Sequence, residues 1–197
     1  MAVTETRARS PRAERTRTVI ADAFLSLLEE GDLQPTATRI ADRAGISLRL
    51  IYHHFSDLEE LFGVLARREN ERMISRVKTV PVDLPFDDRL DRFVDQRASL
   101  LEWLTPVCRA ATLHEPFSAA LRDSRDSGAH LARRELAYVF AEELRDLPIA
   151  DQQDRLDALT AVTTWPGWNH QRVTGSSFGR SRDVMARLVR AVVLEGR

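Results

Sequence analysis

Apolar residues recur at helical intervals along almost the whole chain, and this spacing constrains the fold more than any other feature of the sequence. Near the N-terminus, Ile20, Phe24, Leu27 and Leu28 fall at positions i, i+4, i+7 and i+8, which form one face of a helix. Alternating apolar and polar runs, which are typical of strands, are absent from the sequence. The spacing therefore predicts an all-α protein of about nine helices.

Turn and capping residues divide the pattern into its helices. Thr36 and Ser47 are placed to cap two short helices separated by Gly45. Ser56 and Glu59 form an S-x-x-E capping box, which begins a longer helix reaching about residue 79. Before and after these lie further predicted helices at about residues 12–30, 86–104, 106–113, 116–147, 151–174 and 180–194.

The segment from Pro81 to Pro85 is the clearest interruption of the pattern. We expect two functional units, an N-terminal unit of residues 1–60 and a helical body of residues 61–197. Within the body, the poor helix propensity of Ser127 and Gly128 predicts a break, and Pro166 predicts a kink or a split.

The composition narrows the possible functions. A net charge of −1 excludes a protein that coats nucleic acid by bulk charge, although a local basic patch remains possible. Cys108 is the single cysteine, so neither an intramolecular disulfide nor a cysteine metal cluster is expected. No apolar run reaches the roughly 18 residues of a membrane span, and the N-terminus lacks a secretory signal, so we expect a cytoplasmic protein without membrane contact.

The most informative stretch is TATRIADRAGISLRLIYHHFSDLEEL, residues 36–61. Ile40 and Ala44 give the first short helix an apolar face, and Gly45 supplies the turn. Ile51 and Phe55 then place the second short helix onto the first. Two short helices that cross at a tight turn form a helix-turn-helix, which presents its second helix to the major groove of DNA.

The runs I-A-D-R-A-G-I-S, I-Y-H-H-F and S-D-L-E-E-L resemble the DNA-binding region of the TetR family of one-component transcriptional regulators. The resemblance covers roughly residues 15–65. It implies a three-helix DNA-binding head followed by a variable helical body, which binds a small ligand and dimerises through its last two helices. A repressor role is also implied by the resemblance.

The outer face of the second short helix carries the residues that we expect to contact DNA. Leu48, Arg49, Tyr52 and His53 are not needed for its apolar seam and are free to reach the groove. Arg49 can bind guanine through two hydrogen bonds, whereas Leu48 and Leu50 offer apolar contact, for instance to a thymine methyl group. His53 and the next histidine point in different directions, so no shared metal site is expected.

The resemblance implies phosphate contacts from Tyr52 and His54, and helix N-termini attract phosphate as well. The family commonly has a small residue where Arg49 stands and often a lysine where Leu58 stands, so one phosphate contact is lost here. The N-terminal arm is basic and contains Arg7, Arg9, Arg12, Arg15 and Arg17. This arm can replace the lost phosphate contact or enter the minor groove, and the alternative is that it is a solvated tail. The predicted DNA-binding set is Arg12, Arg15, Thr36, Ser47, Leu48, Arg49, Leu50, Tyr52, His53 and His54.

Large side chains in the middle helices can form either an apolar ligand pocket or plain core. Possible polar anchors of such a pocket are Arg109, His114, Glu115 and Thr164. The candidate ligand-binding residues are Phe93, Leu100, Trp103, Leu104, Cys108, His114, Phe117, Tyr138 and Trp165.

Wide apolar stripes on the last two helices favour a two-fold dimer built as a four-helix bundle. The residues of these stripes are Leu156, Leu159, Val162, Val184, Leu188 and Val192. Such a dimer places two heads on successive major grooves of double-stranded DNA and predicts a near-palindromic operator.

Two other functions remain open at this stage. The chain could be a DNA-binding regulator without a small-molecule ligand, its body serving only for dimerisation or protein contacts. It could also be an enzyme, but the sequence has no nucleophile elbow, phosphate loop, dinucleotide fingerprint or zinc-protease motif, so we expect neither catalysis nor a cofactor or metal.

Overall fold

A computed structural model describes residues 10–196, and within that range the chain is helical without any strand, as predicted. The described residues form ten α-helices, against the predicted number of about nine. They are α1 Pro11–Glu29, α2 Ala37–Ala44, α3 Leu48–His54, α4 Leu58–Arg76, α5 Phe86–His114, α6 Ala119–Val139, α7 Ala141–Leu144, α8 Ile149–Thr163, α9 Trp165–Val173 and α10 Phe178–Val193, with a 3₁₀ turn at Glu115–Phe117 before α6. None of the helices in the described range has the length and apolar character needed to cross a bilayer.

The first four helices pack around one core, and α2 and α3 within it form the predicted helix-turn-helix. Local capping sets the two short helices: the Thr36 hydroxyl accepts from the N–H of Arg39, and the Ser47 hydroxyl accepts from the N–H of Leu50, each at 3.3 Å. Gly45 ends α2 with φ at 65°, in the left-handed region that favours glycine. The unit is held by fully buried apolar side chains, among them Ile20, Phe24, Leu28, Ile40, Ile51, Phe55, Leu61 and Leu65.

The start of α4 differs by one residue from the predicted capping box. Asp57, not Ser56, is the N-cap, and its carboxylate accepts from the N–H of Glu60 at 2.8 Å. Glu60, not Glu59, reaches back and accepts from the N–H of Ser56 at 2.9 Å. The helix ends at Arg76, three residues before the predicted limit.

Two predicted helix breaks in the body are wrong. α5 runs without interruption through Pro106, and α6 runs through Ser127 and Gly128. α6 ends instead at Val139, and the next residue, Phe140, is fully buried with its ring packed against those of Phe86 and Phe93. The expected split at Pro166 is confirmed, because α8 and α9 meet there.

A second apolar cluster fills the body between α5, α6, α8 and α10. Its fully buried members include Phe93, Val94, Ala98, Leu136, Phe140, Leu159, Trp168, Met185, Val189 and Val193. Arg89 is buried beside it, where it pairs with the buried Glu143 and donates to the carbonyl of Val82 at 3.0 Å. This arginine therefore fixes the proline-flanked segment before α5 to α7.

The helix α4 packs into the first cluster through Leu61 and Leu65, together with Ala110 of α5 and Leu121 of α6. Because side chains from beyond residue 60 complete the first core, the division of the chain at that residue stays a prediction.

Candidate nucleic-acid interface

α3 presents one side to the core and the other to solvent. Ile51 and Phe55 are each 1% exposed and anchor the helix, whereas Leu48 is 39% and Tyr52 54% exposed. Arg49 and His53 are also exposed. Leu50 is only half-buried, so part of its side chain is available to a partner. The outer surface of α3 thus consists of the residue types predicted for it.

The N-termini of α2 and α3 are exposed at Thr36 and Ser47. Both hydroxyls are engaged in capping, which leaves the first-turn N–H groups and the positive end of each helix dipole as the groups that can attract phosphate. Arg39, in the first turn of α2, adds a side chain 60% exposed that is paired with Asp32 at 3.0 Å. The sequence interpretation missed Arg39, although its place three residues after a capping threonine is a usable signal.

The end of α3 is less free than predicted. His54 is half-buried, and its backbone carbonyl accepts a hydrogen bond from Arg17. The rings of His53 and His54 lie edge to face with their centroids 5.2 Å apart. Of the two, His53 has the more exposed side chain.

The basic residues before α2 divide into two kinds. Arg12 and Arg15 are exposed in the first turns of α1, where they can meet a phosphate backbone. Arg7 and Arg9 lie outside the described residues. Arg17 does not belong to an exposed arm as predicted: the residue is 6% exposed and forms an ion pair with Glu60.

The nine candidate ligand-binding residues do not meet in one cavity. Phe93 and Leu100 are buried in the packed body. Trp103 is half-buried beneath the guanidinium groups of Arg72 and Arg76, the nearer at 4.4 Å from the ring centroid. Leu104 is half-buried in the middle of α5.

The remaining candidates lie in several different places. Cys108 is half-buried, and burial of its thiol raises the pKa to about 12, so little thiolate forms near neutral pH. The indole N–H of Trp165 donates to the Thr105 hydroxyl at 3.2 Å. Tyr138 is 50% exposed on α6.

Two of the candidates, His114 and Phe117, do share a cleft of about 210 Å³ between α4 and the start of α6. Its other walls include Leu58, Phe62 and Leu121. The His114 ring lies 4.1 Å from that of Phe62, centroid to centroid, and burial lowers the pKa of the imidazole. Of the other proposed anchors, Arg109 donates to Asn169 at 3.1 Å and Glu115 pairs with Arg125.

The apolar stripes of α8 and α10 pack mostly against other helices of the same chain. Leu156 and Leu159 are buried, so they cannot also form a subunit interface. Val162, Val184 and Val192 are half-buried. Leu188, which is 40% exposed on α10, is the member of the set that points most clearly outward.

Comparison with known families identifies the N-terminal unit. Residues 20–65 match the family model described as bacterial regulatory proteins, tetR family. This confirms the resemblance that the helix-turn-helix sequence indicated. No protein with a curated description matches the chain.

Solved structures with the same fold cover nearly the whole chain. A transcriptional regulator from Rhodococcus sp. Rha1 is 18% identical with a TM-score of 0.68, and the match covers 92% of this chain and 95% of that one. A TetR-family regulator from Mesorhizobium loti is 22% identical with a TM-score of 0.67, covering 93% and 96%. The multidrug binding protein EbrR, complexed with imidazole, is 23% identical with a TM-score of 0.60, covering 95% and 97%. At these identities the likeness shows the fold.

Proposed function

We propose that this chain, which carries the DNA-binding region of the TetR family over residues 20–65, is a homodimeric transcriptional repressor that binds a near-palindromic operator. The observation that carries the proposal is the outer surface of α3. A seven-residue helix is anchored by Ile51 and Phe55 and turns Leu48, Arg49 and Tyr52 to solvent. Exposed side chains of this kind on the second helix of a helix-turn-helix are what base and phosphate contacts require.

In this proposal the contacts have separate roles. Arg49 reads a guanine, and Leu48 and Leu50 contact base methyl groups. Tyr52, His53, His54, Arg12 and Arg15, together with the N-termini capped by Thr36 and Ser47, bind the phosphate backbone and set the register. The head comprises residues 1–60 and the body residues 61–197.

A selection from random duplexes followed by titration tests the DNA-binding function. The purified protein should bind the recovered duplex more tightly than a scrambled duplex of the same composition, by about 10³-fold or more at physiological salt. Equal affinity for the two duplexes would contradict a sequence-specific function.

The proposal includes a ligand, which is a small apolar or amphipathic effector. Binding of this effector favours a conformation of the protein that has no affinity for the operator. EbrR, a multidrug binding protein with this fold, was solved in complex with imidazole, and this likeness supports a small-molecule effector for the present chain. An effector can shift the equilibrium only by its difference in affinity for the two conformations.

One observation favours a second candidate, a DNA-binding regulator without a small-molecule ligand. Phe93 lies in the packed core, whereas Phe117 is 83% exposed, so the candidate pocket residues are dispersed. Thermal-shift screening against apolar and cationic aromatic compounds separates the two candidates. A compound that stabilises the protein and also releases the selected duplex supports the effector, whereas a screen in which no compound releases the duplex supports the second candidate.

A further inference from the structure

Arg17 lies where α1, α3 and α4 meet. It projects from α1 towards the last residue of α3 and the first turn of α4, with its side chain 7% exposed. Its guanidinium group lies 4.0 Å from the centroid of the Phe55 ring, and Phe55 is itself 1% exposed. The contact joins a buried cation to the aromatic residue that anchors α3, the recognition helix of the proposed DNA complex.

The two ends of the guanidinium group have different partners. One nitrogen donates to the backbone carbonyl of His54, at the C-terminus of α3. Another lies 3.0 Å from a carboxylate oxygen of Glu60 on α4. An arginine fork can serve both partners at once, which the single ammonium group of lysine cannot do in the same geometry.

Glu60 extends this network into the turn between α3 and α4. Its second carboxylate oxygen accepts from the N–H of Ser56 at 2.9 Å and from the Ser56 hydroxyl at 3.3 Å. The hydrogen bond from the Ser56 backbone, helped by Arg17, lowers the pKa of Glu60, so the carboxylate stays charged near neutral pH. Arg17 and Glu60 thus fix the chain on both sides of the turn that follows the recognition helix.

We propose that Arg17 is a positioning residue for DNA recognition: with Glu60 it holds the C-terminal end of α3 against α1 and α4 and does not itself contact DNA. The inference rests on the proposed function. α3 has only seven residues, and Ile51 is its one buried member, so few apolar contacts fix its orientation. Base recognition needs side chains held to within about 0.5 Å, which makes the added hydrogen bonds matter.

The salt dependence of binding separates positioning from contact. Each phosphate contact contributes about 0.9 to the slope of log K against log salt concentration on duplex DNA. We expect Arg17→Gln to leave this slope unchanged while lowering the preference for the selected duplex over the scrambled one by about tenfold, roughly the value of one base contact. We expect Arg12→Gln to reduce the slope by about 0.9 and to weaken both duplexes by the same factor.

Arg68→Gln is the matched control. Arg68 also joins α4 to α1, through an ion pair with Asp22 at 2.5 Å, but it does not touch α3. This variant should retain both the slope and the preference of the wild type. Helix content and thermal unfolding are measured for every variant, and binding is compared well below each unfolding temperature.

Two milder variants keep the test decisive if Arg17→Gln does not fold. Arg17→Lys keeps the charge but loses the fork, and Glu60→Gln keeps the size but loses the ion pair. Positioning predicts a reduced preference in both, whereas a phosphate contact by Arg17 predicts that Arg17→Lys binds like the wild type.

The inference is overturned if Arg17→Gln lowers the slope by about 0.9 with equal loss on both duplexes. It is also overturned if the preference is unchanged in a folded Arg17 variant, because the pair is then only structural. A wild-type protein that does not distinguish the two duplexes contradicts the proposed function itself, which is a separate result.

Discussion

Arg49 is the side chain on α3 that is best suited to read a base, because it is exposed and its fork can donate twice to guanine. We expect Arg49→Ala to relax sequence preference at one base pair in each half-site, with a loss of about 1–3 kcal/mol in discrimination there. Affinities for a series of duplexes with single base changes measure this. Tyr52→Phe is the control, since losing a phosphate contact should weaken all sequences equally. The base-reading role is wrong if Arg49→Ala shows that uniform pattern.

His114 gives the head and the body a pH-dependent contact. Burial lowers the pKa of its imidazole below 6.5, although a hydrogen bond with the Leu33 backbone opposes this. Below about pH 6.5, the imidazole therefore binds fewer protons in the folded protein than in the unfolded chain. Its contribution to the free energy of unfolding is present above this pH and is lost as the pH falls towards the lower pKa of the folded state. Thermal unfolding from about pH 7.5 to 5 should show the wild type losing stability relative to His114→Gln. A difference that stays constant over this range would contradict the assignment.

Residue by residue, the sequence predicted contacts that are local and missed those that are not. Thr36 and Ser47 cap the helices as expected, because a cap and its N–H partner are three residues apart. The basic neighbours of Arg17 predict that it belongs to a DNA-binding arm. Its actual partner, Glu60, is 43 residues away along the chain, and no local pattern connects the two.

At the scale of elements, two glycines test how the helices are delimited. Gly45 ends α2 at φ 65°, so Gly45→Ala should cost about 1–2 kcal/mol of unfolding free energy through backbone strain alone. Gly128 lies within α6 with open space around the position of an added Cβ, so Gly128→Ala should gain roughly 0.5–1 kcal/mol. Urea unfolding measures both. Effects of the same sign would contradict the helix boundaries described above.

The spacing of apolar residues predicts that the helices exist, whereas the residues at which several of them end are set by tertiary packing. Pro106 removes one hydrogen bond within α5, yet the helix continues, because packing of its flanks outweighs the local loss. Phe140 ends α6 without any proline or glycine. Its ring is buried against Phe86 and Phe93, more than 40 residues earlier, and no local signal predicts that contact. The candidate ligand residues were dispersed for the same reason: their types suggested a pocket, but long-range packing decided where each one lies.

At the scale of the whole molecule, the proposed dimer requires apolar surface that the single chain leaves uncovered. Leu188 is 40% exposed on α10, while its neighbours Met185 and Val189 are fully buried in the same chain. We expect Leu188→Glu to shift the protein from dimer to monomer and to weaken operator binding, as measured by sedimentation and by titration with the selected duplex. Ile74→Glu is the matched control, because Ile74 is 59% exposed on α4 and should leave the dimer intact. A dimer unchanged by Leu188→Glu would place the interface elsewhere.

The most direct test of the central claim is the symmetry of the DNA sequence that the wild-type protein selects from random duplexes. Two heads held by one dimer should recover two inverted half-sites whose centres lie about one helical turn apart, 10–10.5 base pairs, or a multiple of it. The complex should contain two protomers or a multiple of two. Recovery of an asymmetric single site bound by one protomer, or of no preferred sequence at all, would contradict the account.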